Sequence, residues 1–69
     1  MDTPTSDMIR AARAAAGDTQ TQAIQRLHRD RRMTWDDWEA GRRVMEPALW
    51  ELYLLRTGQH PTHRLVAIE

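Results

Sequence analysis

The chain has 69 residues, which is room for one domain and leaves a thin stability margin from a single small core. Cysteine is absent, so disulfides and thiolate metal sites are excluded, and helix packing or association with a second chain must supply stability. Ten Lys or Arg against ten Asp or Glu give a formal net charge of zero, whereas nucleic-acid binders are usually basic. The first residues lack a signal-peptide pattern, and no apolar stretch approaches the ~20 residues that span a bilayer, so we expect a cytoplasmic protein without a membrane segment.

The neutral total conceals an uneven distribution of charge along the chain. Residues 10–32 contain six arginines against two acids, whereas residues 35–51 contain two arginines against five acids. All ten positive side chains are arginine, which forms paired hydrogen bonds with phosphate and guanine, although a GC-rich genome would also favour arginine codons. Because the local field attracts phosphate, zero net charge does not exclude a nucleic-acid partner.

Two short helices are predicted before residue 29. Ser6 or Thr5 can cap the first helix, which is rich in alanine and arginine and ends at Gly17. Thr19 is the next N-cap, and the second helix is predicted over residues 20–28. Apolar side chains fall on one face of each helix: Ile9, Ala12 and Ala16 in the first, and Ala23, Ile24 and Leu27 in the second.

A third helix is predicted to begin at Asp30 or Arg31 and to close at Gly41. Trp35 and Trp38 stand three positions apart in it and therefore share a face. The second and third helices are adjacent and short, and the third begins with a basic patch. This arrangement is the outline of a helix-turn-helix, although any small helical bundle shows similar periodicity.

A fourth helix is predicted to open at Glu46 and Pro47, because a first turn tolerates proline, and to stop near Gly58 and Pro61. The tail after residue 61 alternates apolar side chains and contains β-branched residues, so a short C-terminal β-strand is possible there. The apolar face of the fourth helix consists of Leu49, Trp50, Tyr53 and Leu54. We expect an all-α fold, a compact bundle of four to five short helices in one domain, 1–69, with its core at about 6–58 and a tail at 59–69.

The order and spacing of these residues resemble the lambda-repressor-like helix-turn-helix family of the Cro/XRE type. The matching pattern is I-R-x-x-R-x-x-x-G-x-T-Q from Ile9 to Gln20, followed by W-x-x-W-E-x-G from Trp35 to Gly41. The resemblance covers roughly residues 8–58. It implies a DNA-binding regulator that needs no cofactor.

The resemblance also implies roles for individual residues. Thr19 would cap the second helix, and Gln20 would contact a DNA phosphate near the positive end of that helix. The third helix would lie in the major groove, where Arg32 could pair with guanine and Met33 could touch a thymine methyl group. Basic residues just past this helix would contact backbone phosphates. The candidate DNA-binding residues are Gln20, Arg31, Arg32, Met33, Asp36, Asp37, Arg42 and Arg43.

Other conspicuous residues are assigned to the fold. By the same resemblance, Arg13 and Glu39 form an ion pair that ties the first helix to the third. The three tryptophans are interpreted as core rather than as a base-stacking platform, since burial explains their helical spacing. His60 and His63 lie close in sequence, but Pro61 separates them and no third ligand is evident, so no metal site is expected. No catalytic motif is present, and an enzyme is not expected.

Two features depart from the family pattern. The segment 27–31 is one residue longer than the usual turn and lacks its glycine, so the register of the base-reading residues is open by one position. Asp36 and Asp37 place two negative charges where DNA would approach. An aspartate can accept a hydrogen bond from cytosine N4, but it is also repelled by phosphate.

We therefore expect a sequence-specific, double-stranded-DNA-binding transcriptional regulator. It resembles the Cro-like repressors of phages, including the small autoregulators encoded beside anti-CRISPR genes. Two alternatives remain open: an antitoxin with the same fold, and a protein-interaction module that has lost DNA binding, which the acidic pair and the zero net charge favour.

A homodimer on a near-palindromic operator is also expected, because one short recognition helix touches few base pairs. The fourth helix and the tail are the expected contact. Trp50, Tyr53 and Leu54 provide more apolar area than one small core needs, and the tail strand would be formed by Leu65, Val66 and Ile68.

Overall fold

The computed structural model describes residues 2–63, in which there are four α-helices and no strand. The helices are α1 (Ser6–Ala16), α2 (Gln20–Gln25), α3 (Arg32–Ala40) and α4 (Pro47–Arg56). The predicted all-α bundle of short helices is confirmed over this range. The strand predicted for the tail lies outside the described residues. No helix of residues 2–63 is long and apolar enough to cross a membrane.

Local signals fix both ends of α1. Thr5 is the N-cap: its backbone is extended, and its side-chain oxygen accepts the Met8 amide at 3.2 Å. Ser6, the other predicted cap, is the first helical residue. Gly17 ends the helix in the left-handed conformation with φ of 72°, a backbone region that glycine enters without a steric cost.

A reciprocal capping box begins α2. The Thr19 hydroxyl accepts the Gln22 amide at 3.1 Å, and the Gln22 side-chain oxygen accepts the Thr19 amide at 2.9 Å. The helix ends at Gln25, three residues before the predicted end at His28. His28 has a positive φ of 59°, which a helix cannot continue through, and this explains the shorter helix.

The connection between α2 and α3 settles the start of the third helix. His28 takes the left-handed conformation without being a glycine, and the Arg29 amide returns to the Ile24 carbonyl at 3.3 Å. Arg31 is extended and serves as the N-cap, so α3 begins at Arg32. The predicted start at residue 30 or 31 is therefore wrong by one or two positions. The reason is that the chain needs extended residues after the left-handed turn before it can enter a helix.

The fourth helix begins and closes through contacts that bring it back to α1. Glu46 is the N-cap and Pro47 occupies the first turn, as the sequence predicts. The helix ends at Arg56, and the chain then turns so that the Gln59 side-chain amide donates to the Ala12 carbonyl at 3.0 Å. This bond joins the segment after α4 to the middle of α1.

All four helices contribute to one core. Trp35 and Tyr53 lie at its centre, fully buried, with ring centroids 4.8 Å apart. The predicted dimer contact relied on Trp50, Tyr53 and Leu54, but these side chains are at most 8% exposed within the chain itself. The prediction that these side chains exceed what one small core needs is wrong, because a domain this small uses them for its own core. The buried residues of this core are Ile9, Ala12, Ala23, Ile24, Leu27, Trp35, Trp38, Met45, Trp50, Tyr53 and Leu54.

Candidate nucleic-acid interface

A partly buried ion pair holds α3 against α1. Arg13 Nε lies 2.6 Å from Glu39 Oε2, and Arg13 Nη2 lies 3.1 Å from Oε1. The Trp35 indole also donates to Glu39, and Arg13 Nη1 donates to the Asp18 carbonyl at 3.1 Å. Burial opposes ionisation of Glu39, but the hydrogen bonds from Arg13 and Trp35 outweigh it and hold the pKa of this carboxyl below its usual range. The structure thus joins the two residues that the resemblance pairs, and they fix the orientation of the candidate recognition helix.

A second buried network links the start of α2 to α4. Arg26 forms two hydrogen bonds with the Asp18 carboxylate, at 2.6 and 3.0 Å, and the Tyr53 hydroxyl donates to the same carboxylate at 3.0 Å. The Arg26 contact, with a smaller contribution from Tyr53, lowers the pKa of Asp18. Burial, together with this neighbouring carboxylate, raises the pKa of Tyr53. The sequence offers no signal for this network, because its members are eight and 35 residues apart.

Gln20, at the start of α2, contacts the candidate reading residues directly. Its side-chain amide donates to Asp36 Oδ1 at 3.2 Å, and its side-chain oxygen accepts from Arg32 Nη1 at 2.9 Å. The two partners lie one turn apart on α3. Three of the predicted site residues therefore form one polar chain across the junction between α2 and α3.

The acidic pair on α3 is largely occupied by Arg42. Arg42 Nη2 lies 2.6 Å from Asp36 Oδ2, and its Nε lies 2.7 Å from Asp37 Oδ1. Hydrogen bonds from Gln20 and then Arg42 lower the pKa of Asp36. Two carboxylates and one guanidinium leave a net charge of −1, so the repulsion expected from two free aspartates is reduced. Both oxygens of Asp36 already accept a hydrogen bond.

The helical period decides which side of α3 faces outward. Trp35, Trp38 and Glu39 are buried, and the residues between them face away from the core. Met33 is 51% exposed, which is high for a large apolar side chain on a small domain. The outward side consists of Arg32, Met33, Asp36 and Asp37, of which the first two are exposed and the aspartates half-buried.

Of the six arginines in residues 10–32, three form ion pairs within the described part of the chain and three do not. Arg10 pairs with Asp7 on α1, and Arg13 and Arg26 belong to the buried networks. The remaining three, with Arg43 after α3, are exposed and form no ion pair with a carboxylate of residues 2–63. These four exposed arginines are Arg29, Arg31, Arg32 and Arg43. They surround the two ends of α3, which concentrates positive charge there despite the neutral total.

The two histidines after α4 lie together, away from this surface. Their rings pack edge to face with centroids 5.3 Å apart, and His60 Nε2 lies 3.3 Å from Glu51 Oε2. Over residues 2–63, no group of three or more His, Cys, Asp or Glu side chains is placed to hold a metal ion.

Comparison with known proteins finds no protein-family model and no curated protein that matches this sequence.

Proposed function

We propose that the protein is a sequence-specific, double-stranded-DNA-binding transcriptional regulator in which α3 is the recognition helix. The observation that carries the proposal is the polar chain from Gln20 through Arg32 and Asp36. It joins the start of α2 to the outward side of α3, so that one surface would combine a phosphate contact with base reading. The resemblance to the Cro/XRE type of helix-turn-helix supports the same assignment.

Each candidate residue has a role that follows from its contacts. Arg32 is exposed at the first turn of α3, where a recognition helix meets base edges, and it is the residue that would pair with guanine. Met33 beside it would contact a thymine methyl group. Asp36 has both oxygens engaged, so its role is to position Gln20 and Arg42 rather than to accept from a base.

The candidate phosphate-binding arginines differ in whether they already form an ion pair within the protein. Arg42 is held by the acidic pair, so a phosphate must compete with two carboxylates for its guanidinium. Arg31 and Arg43 are exposed and make no ion pair within residues 2–63, so they can neutralise phosphate without that competition. We assign the backbone contacts mainly to these two, with Gln20 at the other side of α3.

A homodimer is part of the proposal, because a recognition helix of nine residues contacts too few base pairs to specify a unique site in a genome. Two-fold symmetry would match a near-palindromic operator with half-sites about one helical turn apart. Such a regulator would act in the cytoplasm. Deleting residues 64–69 tests the tail as the dimer element: loss of dimer mass in sedimentation equilibrium supports it, and an unchanged mass excludes it.

The test of DNA recognition is a selection from random 20-bp duplexes, followed by titration of the enriched sequence at several salt concentrations. We expect a near-palindromic motif and a steep salt dependence. Arg32→Ala should lose the sequence preference at one base pair. Arg10→Ala also removes one positive charge, from α1, and should retain that sequence preference. Failure to enrich any motif, with equally weak binding of all duplexes, would contradict the proposal.

A protein-interaction module is the second candidate. Val44 and Met33 are large apolar side chains that are 74% and 51% exposed, and Met33 lies on the same outward side of α3 as Asp36 and Asp37, which with Arg42 carry a net charge of −1. A surface that is partly apolar and partly acidic suits a protein partner better than DNA. The same selection separates the two candidates, because a module that has lost DNA binding enriches no motif even at low salt.

A further inference from the structure

A groove between α3 and the start of α4 brings together two arginines from distant parts of the sequence. Arg29 precedes α3 and Arg43 follows it, yet both line this groove. Thr34 and the largely buried Trp38 form part of its wall, and Glu46 lies at the same groove. Arg29 and Arg43 are exposed, and neither forms an ion pair with Glu46 or another carboxylate of the described range.

Two like charges converging on one groove indicate a site for an anion. Their mutual repulsion is weak in water but grows where a protein wall excludes solvent, and a bound anion would turn it into attraction. Arginine presents several N–H donors in a plane, which suits the oxygens of a phosphate group. Thr34 adds a hydroxyl donor at the same wall. This set of donors fits a phosphate group.

The groove occupies the edge of α3 opposite to Gln20. Thr34 comes two residues after Arg32, and Trp38 comes two residues after Asp36. At about 100° per residue, Thr34 and Trp38 therefore lie on roughly the opposite side of α3 from Arg32 and Asp36. Arg32 and Asp36 form hydrogen bonds with Gln20. Thr34 and Trp38 line the groove. The outward side of α3 is therefore bordered by Gln20 on one edge and by the two groove arginines on the other.

We propose that this groove binds a backbone phosphate of the DNA strand on the far side of the major groove. A helix in a groove about 12 Å wide has a phosphate strand along each side. Gln20 faces one strand, and Arg29 with Arg43 faces the other. This inference rests on the proposed function, and it adds Arg29 and Thr34 to the contacts. Glu46 opposes phosphate binding there and limits the affinity.

The experiment measures binding of a random-sequence 20-bp duplex by fluorescence anisotropy over a series of salt concentrations. Arg29→Ala should reduce the slope of log K against log salt by about 0.9, and Arg29→Ala/Arg43→Ala by about 1.8. Glu46→Gln should raise the affinity. Arg10→Ala is the matched control and should keep the slope. Circular dichroism verifies that each variant folds.

The outcomes separate this inference from the function on which it rests. If Arg29→Ala keeps the wild-type slope while Arg32→Ala weakens binding, the groove is not a phosphate contact and the DNA-binding proposal stands. If the wild type binds no duplex at low salt, both fail. Inorganic phosphate, titrated while the amide resonance of Thr34 is followed by NMR, identifies the source of the anion. Saturable binding of free phosphate without any duplex binding would overturn the assignment to DNA.

Discussion

Removing Arg13 tests the ion pair that orients α3. In Arg13→Ala, Glu39 loses two hydrogen bonds, of 2.6 and 3.1 Å, and keeps the hydrogen bond from the Trp35 indole. Its side chain is 6% exposed, so water cannot fully replace the lost partner. The variant therefore leaves a nearly buried carboxylate that has lost two of its three hydrogen bonds.

The size of the effect follows from this burial. Breaking a buried pair by removing one partner costs about 3–5 kcal/mol. Arg13 itself is 28% exposed, so solvent already screens part of the interaction, and we expect a loss of about 2–3 kcal/mol in the free energy of unfolding. For a domain of this length, each kcal/mol lowers the melting temperature by about 4–8 °C, which predicts a decrease of roughly 10–20 °C.

The effect should depend on pH with a definite sign. In the wild type, the lowered pKa of Glu39 contributes stability above about pH 4.3, and this is lost as the pH falls through the folded-state value. In Arg13→Ala, burial is no longer compensated, so the pKa of Glu39 rises above its unfolded value and protonation stabilises the fold. The difference in the free energy of unfolding between the wild type and Arg13→Ala should therefore be largest near pH 7 and should decrease toward pH 4.

Urea denaturation followed by circular dichroism, at pH 7 and at pH 4, measures both proteins. Glu39→Gln and the double variant Arg13→Ala/Glu39→Gln complete a double-mutant cycle, for which we expect a coupling of about 2 kcal/mol. The double variant should be more stable than Arg13→Ala, because its buried group is neutral. Additive single effects, or a gap that is the same at both pH values, would refute the reasoning.

His28→Gly should be more stable than His28→Ala by about 1 kcal/mol in urea denaturation, because only glycine enters the left-handed region freely; equal stabilities would contradict the strained turn. Asp18→Asn should cost about 1.5–3 kcal/mol at pH 7, because Arg26 loses a charged acceptor. The cost should fade below about pH 3.9, and a pH-independent cost would count against the lowered pKa. Arg32→Ala should cost about 1–3 kcal/mol at one base pair of the selected operator, and Arg43→Ala should weaken every duplex alike; uniform losses from both would show that Arg32 does not read a base.

The helix boundaries that the sequence determined by itself are those with local chemical causes. Thr5 and Thr19 cap their helices, Gly17 and Gly41 end theirs, and Pro47 opens the last. Each signal acts within about four residues, because a side chain satisfies an amide of the adjacent turn or a glycine adopts positive φ. Such interactions are present in the sequence order itself, and the apolar periodicity of the same segments identifies most of the core.

The tertiary structure decided which charges remain for a partner. The sequence shows six arginines near the N-terminus, but it does not show that Arg26 is used by Asp18 or that Arg42 is held by the acidic pair on α3. Nor does it show that Arg29 shares a groove with Arg43. These relations join residues on different helices or loops, so they depend on how the helices cross and on the left-handed turn at residue 28. Charge pairing across helices is a property of the packed chain. The sequence could therefore predict the candidate DNA-binding residues, but it could not show which of their charges are already paired within the protein.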